Sequence, residues 1–407
     1  MVKIGFPGNE YLVKFFFSKR GLARSFFISF LILSVFLVQM YGKAYRGHGN
    51  DLTSYLLSSK AFQEGRNPYQ TGSTFPYIYP LFLCVILLPL SLIPYWLLHF
   101  LWFLASVLAL YAVGIILIRQ YSPAFTRKEA GAVFIVPLLV LFNVIQNNLL
   151  NGQVNFIVLL LCMLFLRNYL HSRSLTAALF LSLAIAIKVT PLILLVYLLC
   201  RRDFLMVGLV IFMTLFLSFG VPYIFGGAAA FAYYSSYFHS FIIGNLAANA
   251  RIVHGFTFSI ISIIGFFMPS LPKLFTFIIS GIVSLAPIIL IQFISRGQKS
   301  MEREILLFSL YMLAILLISP LSETHHLINL LPALSVVVVA TLQYSRRYFK
   351  IGAVVLSAVL GSLVFGKFFI AANLIAIIAL YGSVLWLILQ NRVNGQSHST
   401  HYATSFH

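Results

Sequence analysis

Long apolar runs broken by short polar clusters recur along almost the whole chain. A helix that crosses a bilayer needs about 20 mostly apolar residues. Runs at 25–41, 77–93, 96–118, 131–149, 154–167, 175–199, 204–225, 273–294, 304–319, 327–343, 351–365 and 368–389 meet or approach that length. They predict an all-α, polytopic membrane protein with about twelve transmembrane helices. A further run, 256–268, is bounded by Pro269 and Pro272. It is read as a re-entrant or membrane-surface helix, because a full crossing would reverse the side of every basic cluster after it. Between the first two runs lies a polar segment, 42–76. Within it, Asp51 can cap a helix over 52–64, whose Leu52, Tyr55, Leu56, Ser59 and Phe62 share one face and which Gly65 can end. This predicts a short helix lying on the membrane surface.

Composition agrees with that pattern. Of 407 residues, 61% are hydrophobic and 9% charged, whereas soluble domains carry roughly a quarter charged residues. Soluble enzymes and disordered chains are thereby excluded. Lys and Arg number 27 against 8 Asp and Glu, but the basic residues sit in clusters between apolar runs. They mark membrane topology and lipid headgroup contact rather than nucleic acid. Lys3, Lys14, Lys19, Arg20 and Arg24 precede the first run, which shows no cleavage pattern. The N-terminus is therefore expected in the cytoplasm and, after twelve crossings, so is the C-terminus. Segments 42–76 and 226–255 then face outward. One conflict stays in this reading: Arg119, Arg127 and Lys128 fall outside, on the opposite side to Arg201 and Arg202. The expected units are a basic tail (1–24), a membrane domain (25–391) and a polar tail (392–407). Cys84, Cys162 and Cys200 lie in or at the ends of apolar runs and read as small buried hydrophobes.

The eight acids can be sorted by place. Glu10 lies in the N-terminal tail, and Glu129, Asp203, Glu302 and Glu304 sit at span ends beside basic residues, as solvated or helix-end charges. Glu64 accompanies Arg66. Asp51 and Glu323 are left in outer segments. No acid lies in mid-span, where a proton- or cation-coupled transporter would need one. The one mid-span charge is Lys188, beside Pro191. A charged lysine there costs on the order of 2.5–3.5 kcal/mol to insert, which points to an internal cavity holding an anion such as a phosphate. His325 and His326 follow the Ser319-Pro320 break, near an outer basic group of Lys43, Arg46, His48, Lys60 and Arg66. Such donors suit an anionic leaving group. Amides crowd 143–155, where interhelical hydrogen bonding and substrate contact are equally good explanations, and the span count places this segment on the cytoplasmic side. No metal-binding motif is present.

These motifs come in an order that resembles glycosyltransferase family 87, membrane enzymes of the GT-C type. The matching elements are Asp51 after the first span, Ala61–Tyr69 (AFQEGRNPY), Tyr79-Pro80, Pro89–Pro94, Asn151–Asn155 (NGQVN), Ile187–Pro191 (IKVTP) and the Ser319–Leu334 segment with its paired histidines. The chain departs where Leu81 stands for a second proline, and at Glu323 and Thr324, where an aromatic residue is common. The resemblance implies a polyprenyl-phosphate sugar as donor and co-substrate, no cofactor, and transfer with inversion, mannose included, to a glycolipid or glycan acceptor at the outer face of the cell membrane. It implies Asp51 as general base and His325 and His326 near the donor phosphate. Lys188, Arg66, His48 and Glu323 are further candidates for substrate binding, with Glu323 the reserve acid. The rival classes are a transporter or flippase of lipid-linked saccharides and a non-catalytic scaffold.

Overall fold

A computed structural model describes residues 19–45, 49–121, 127–239, 259–294, 301–319, 322–343, 346–365 and 372–398. The N-terminal tail before Lys19, His48, Asn245, Asn249, Arg251, His254 and the C-terminal residues beyond His398 lie outside these. Among the described residues the fold is helical without strands, as the apolar runs predict. The helices, in chain order, are α1 (Lys19–Tyr45), α2 (Asp51–Gln63), α3 (Leu81–Leu87), α4 (Tyr95–Tyr121), α5 (Arg127–Val140), α6 (Phe142–Asn151), α7 (Asn155–Leu170), α8 (Ser174–Ile187), α9 (Leu194–Cys200), α10 (Phe204–Leu215), α11 (Val221–Gly226), α12 (Ala229–Tyr237), α13 (Ile260–Phe267), α14 (Lys273–Ile294), α15 (Met301–Ile318), α16 (Leu331–Gln343), α17 (Arg346–Phe365) and α18 (Ala372–His398). By length and composition, five stretches among the described residues can cross a membrane: Tyr95–Gln120, Phe204–Gly226, Leu274–Ile294, Thr324–Thr341 and Ala372–Leu389. A sixth arises if Ala132–Val140 and Phe142–Asn151, bent by 69°, count as one.

Two expected spans take another form. Run 77–93 folds as α3 and a 3-10 turn over Leu88–Leu92 that starts with Pro89 near its N-terminus. Together they extend about 20 Å, short of the bilayer core. Leu81, Phe82, Leu83, Cys84, Val85 and Leu87 are all buried, and Ser59 of α2 donates to the Cys84 carbonyl at 2.8 Å. The segment is thus packed beneath α2. Run 175–199 is two legs of a hairpin. α8 ends at Ile187, Lys188 is extended, and a 3-10 turn over Thr190–Ile193 containing Pro191 leads into α9. The contacts show the reversal. Lys188 reaches Asn155 at the start of α7, while Asp203, just beyond α9, accepts from Tyr169 near the end of α7 at 3.0 Å.

These changes move one segment to the other end of the bundle. The Tyr95 hydroxyl at the start of α4 meets Thr53 of α2 at 2.6 Å, and Asn151 at the end of α6 bonds Lys43. The amide-rich segment 143–155 therefore ends beside α2, not opposite it as the span count suggested. Arg119 stands at the end of α4 away from α2, as Arg201 and Arg202 stand at the end of α9 away from Lys188. At that end Glu304 is buried rather than solvated, with 4% exposure. It pairs with Arg201 and, at 3.2 Å, with Arg303, and accepts from Tyr197 at 2.7 Å. A charge in such a place needs these partners to offset its desolvation. Asp203 behaves as expected of a helix-end acid and caps α10 through the Met206 amide. Cys84, Cys162 and Cys200 are buried thiols.

Candidate active site

α2 packs against the rest of the chain. Leu52, Tyr55, Ser58, Ser59, Ala61 and Phe62 are buried, and the helix docks on the turn at Gly152. That glycine has φ +62°, and a Cβ on it would come within 2.7 Å of the Leu52 Cβ. Its carbonyl accepts from the Trp102 indole at 2.9 Å. Gly65 ends α2 as expected, at φ +69°, with the Gly65 and Arg66 amides bonded to the Phe62 and Ala61 carbonyls.

The start of α2 differs from expectation by one residue, with a chemical consequence. Asn50, not Asp51, is the cap. Its side chain accepts from the Thr53 amide at 3.0 Å, and the Thr53 hydroxyl oxygen accepts from the Asn50 amide at 3.3 Å. Asp51 is the first helical residue, and its carboxylate is not spent on capping. It is partly buried. Burial is the main cause that raises its pKa to about 6, with Glu323 adding to the rise; Lys43, Lys188 and a hydrogen bond from Gln153 oppose it. Gln153 is itself fixed: its Oε1 accepts from Tyr79 at 3.2 Å and faces the Tyr55 hydroxyl at 3.3 Å. This leaves the amide N–H groups of Gln153 to donate toward Asp51.

Across from Asp51, Lys188 is held by the break between α8 and α9. Its Nζ donates to Asn155 Oδ1 at 2.6 Å and lies 5.6 Å from the centre of the Tyr79 ring. The Asn155 amide donates to Asn148 Oδ1 at 2.9 Å, and the Asn148 amide donates to the His325 carbonyl at 2.8 Å. A continuous row of hydrogen bonds therefore runs from Lys188 to the backbone of His325. Lys43 bonds Asn151 and lies over the Phe75 ring at 5.5 Å.

Glu323 precedes the 3-10 helix Thr324–Leu330, caps it, and lies 3.6 Å from His325 Nδ1. Burial raises its pKa, and Lys188 opposes this. The His326 Nδ1 accepts from the Glu323 amide at 3.0 Å, which fixes that ring with its proton on Nε2. Its ring centre is 4.1 Å from that of His325.

The candidates thus separate. Asp51, Lys188, Glu323 and His325 gather at one end of the bundle with Lys43, while His326 turns one nitrogen to capping. Arg66 is not part of the group. It sits at the other end of α2, exposed and paired with Glu64, whose pKa its hydrogen bond lowers. His48 lies outside the described residues. Sequence reasoning undervalued Gln153, Asn148 and Asn155, although the run of amides marked them; placing 143–155 at the end opposite α2 hid their role. Tyr79 was marked only as part of the Tyr79-Pro80 pair of the resemblance, and Tyr55 only by its place on the apolar face of α2.

The arrangement offers one acid free to take a proton, facing cations that suit an anion, in a helical membrane framework. The family model of glycosyltransferase family 87 matches residues 77–320. This segment holds Tyr79, Asn148, Gln153, Asn155 and Lys188, whereas Asp51, Glu323 and the paired histidines lie beyond its ends. No curated protein matches the chain. With the model covering more than half of the sequence, the chain belongs to glycosyltransferase family 87.

Proposed function

We propose that this membrane glycosyltransferase moves a sugar, with mannose the first candidate, from a polyprenyl phosphate to a hydroxyl of a glycolipid or glycan acceptor. The observation that carries the reading is an Asp51 carboxylate released from capping by Asn50 and set within electrostatic reach of Lys188 and Lys43. In this reading Asp51 takes the acceptor proton as the acceptor oxygen bonds to the anomeric carbon. The bond from that carbon to the phosphate oxygen breaks, and the polyprenyl phosphate leaves as an anion beside Lys188 and the His325 segment. Attack opposite the leaving group inverts the anomeric centre. Glu323, engaged with His325 and its own helix cap, positions that segment. Lipid surrounds the helices and delivers the donor; the chain's own residues supply binding and proton transfer.

The topology is part of the proposal. Twelve passes remain the reading, with α3 packed inside and the hairpin of α8 and α9 supplying two passes where one was expected. Arg119, Arg127, Lys128, Arg167, Arg173, Arg201 and Arg202 then share one side, which the positive-inside rule assigns to the cytoplasm. Both termini are cytoplasmic, and the Asp51 site faces outward across the cell membrane. Support comes from the helix-end contacts at Lys43, Tyr95, Asn151 and Lys188.

The test is transfer by the purified full chain from synthetic polyprenyl phosphates bearing mannose, glucose, galactose or arabinose. Transfer from one of them, with the product anomer opposite to the donor's, supports the reading. Transfer only from a nucleotide sugar, or retention of configuration, would overturn the donor class or the mechanism respectively.

A further inference from the structure

A polar cavity lies near the Asp51 site, on the neighbouring face of α6. Its volume is about 320 Å³, and it is lined by Asn143, Gln146 and Asn147 of α6, Thr324, Asn373 of α18 and three aliphatic side chains. None of these residues is ionisable. Asn143, Asn147 and Leu150 recur at helical spacing, so one face of α6 presents them while Asn148 and Asn151 are engaged with His325 and Lys43.

Two features point to a ligand. Asn373 is buried, with 2% exposure, yet its Nδ2 has no hydrogen-bond partner. A buried amide without a partner costs on the order of 1–3 kcal/mol, and Asn373 lines this cavity, so a turn of its side chain toward a ligand acceptor there would satisfy the N–H that the packed side chain leaves unpaired. The lining also selects the chemistry. An anion in this space would be desolvated with no opposing charge. A purely apolar ligand would leave several amides unpaired. A neutral, polyhydroxylated ring meets both demands, because its hydroxyls pair with amides and its C–H faces pack on the aliphatic residues. The volume is at the lower end of the usual range of about 300–1,000 Å³ for ligand pockets, which suits one ring rather than a long chain.

We propose that this cavity is a saccharide subsite that binds a neutral sugar unit of the acceptor, next to the unit that receives the transferred sugar. Its place supports that assignment. Asn147 in its wall accepts from Asn151, which holds Lys43, and Thr324 lies between Glu323 and His325. An acceptor glycan can therefore occupy this cavity and reach the Asp51 site. The acceptor assignment rests on the proposed transferase reading; the binding of a sugar does not.

Saturation-transfer NMR on the detergent-purified full chain tests the binding directly, with methyl glycosides of mannose, glucose and galactose as probes. Saturation should reach at least one of them and persist in Asp51→Asn. It should weaken about tenfold in affinity, the equivalent of about 1.4 kcal/mol, in Asn373→Leu and in Gln146→Leu. Asn373→Leu removes an unpartnered amide, so size-exclusion behaviour and Tm should hold. In transfer assays these two variants should raise KM for the acceptor and leave KM for the donor in place. A wild-type chain that binds no glycoside, or binding lost in Asp51→Asn and kept in Asn373→Leu, would overturn the subsite. A rise in donor KM alone would overturn its assignment to the acceptor. Binding that follows Asn373 in a chain that transfers no sugar would support the subsite and overturn the transferase reading.

Discussion

Asn50 caps helix α2, and Asp51, the next residue, is thereby left with a carboxylate that the helix does not need. Substitutions at these neighbours should separate folding from chemistry. Asp51→Asn keeps the cap and should lower kcat/KM by roughly 10²–10⁴, the usual contribution of a general base, with normal insertion. Asn50→Ala should cost about 1 kcal/mol of stability and be read first as a lower Tm. Near-normal turnover in Asp51→Asn would move the search for the base to Glu323.

The pKa of Asp51, raised to about 6, has opposite effects on rate and stability. A base is useful when deprotonated, so kcat/KM should rise with pH through about 6 and then level. The folded state holds the Asp51 proton more tightly than an unfolded chain does. This group therefore favours folding below its ordinary value of 3.8, and that advantage is lost as pH rises through about 6. Asp51→Asn should remove this pH dependence, and its Tm should exceed wild type at pH 7. A rate profile whose acid limb sits near pH 4 would contradict the site electrostatics.

Lys188→Met should fold as well as wild type, because it removes a charge from a low-dielectric setting. It should also reduce kcat/KM by about 10²–10³, the scale for a group that stabilises a developing charge. Unchanged donor kinetics would reduce Lys188 to a packing role at the α8–α9 turn.

Gly152→Ala should be the most damaging single methyl added near the site. It forces a left-handed residue to carry a side chain, at roughly 1–2 kcal/mol, and drives a Cβ to 2.7 Å from the Leu52 Cβ, which adds about 1–3 kcal/mol of overpacking. Thermal unfolding in detergent should show both a lower Tm and activity lost in parallel.

The proposed orientation can be read by labelling. All three native cysteines are buried, so Thr74→Cys, at an exposed position of the segment before α3, gives a clean signal. A membrane-impermeant maleimide should modify it in intact cells. Reaction only after permeabilisation would place the Asp51 site on the cytoplasmic side.

Much of the framework was legible from periodicity and breakers. The apolar runs mark the helices, and Gly65 marks the end of α2. What hydropathy could not report was direction. The α3 part of run 77–93 is as apolar as a span because six of its seven residues are buried in protein, and burial in protein and in lipid favour the same composition. Residues 175–199 hold enough apolar residues for one long span, and nothing in their composition shows that the chain turns back at Lys188. Both misreadings shift which end of the bundle the intervening segments reach, so 143–155 was placed at the end opposite α2 when it lies beside it. The cap was missed because Asn and Asp are equally good caps, and only backbone geometry decides which of two neighbours takes the position.

The row from Lys188 through Asn155 and Asn148 to the His325 carbonyl has a sense as well as a sequence: every bond in it is donated in the same direction. Each amide turns its oxygen toward the lysine and its nitrogen toward the histidine. Changing either asparagine to aspartate, nearly identical in shape, would replace a donor with an acceptor facing another acceptor. Reversing one amide would force its neighbour to reverse and leave two oxygens opposed at the carbonyl. A change at either asparagine is thus tolerable only with a compensating change at the other, and Asn155 and Asn148 are spelled in the chain as two letters but read by the fold as one.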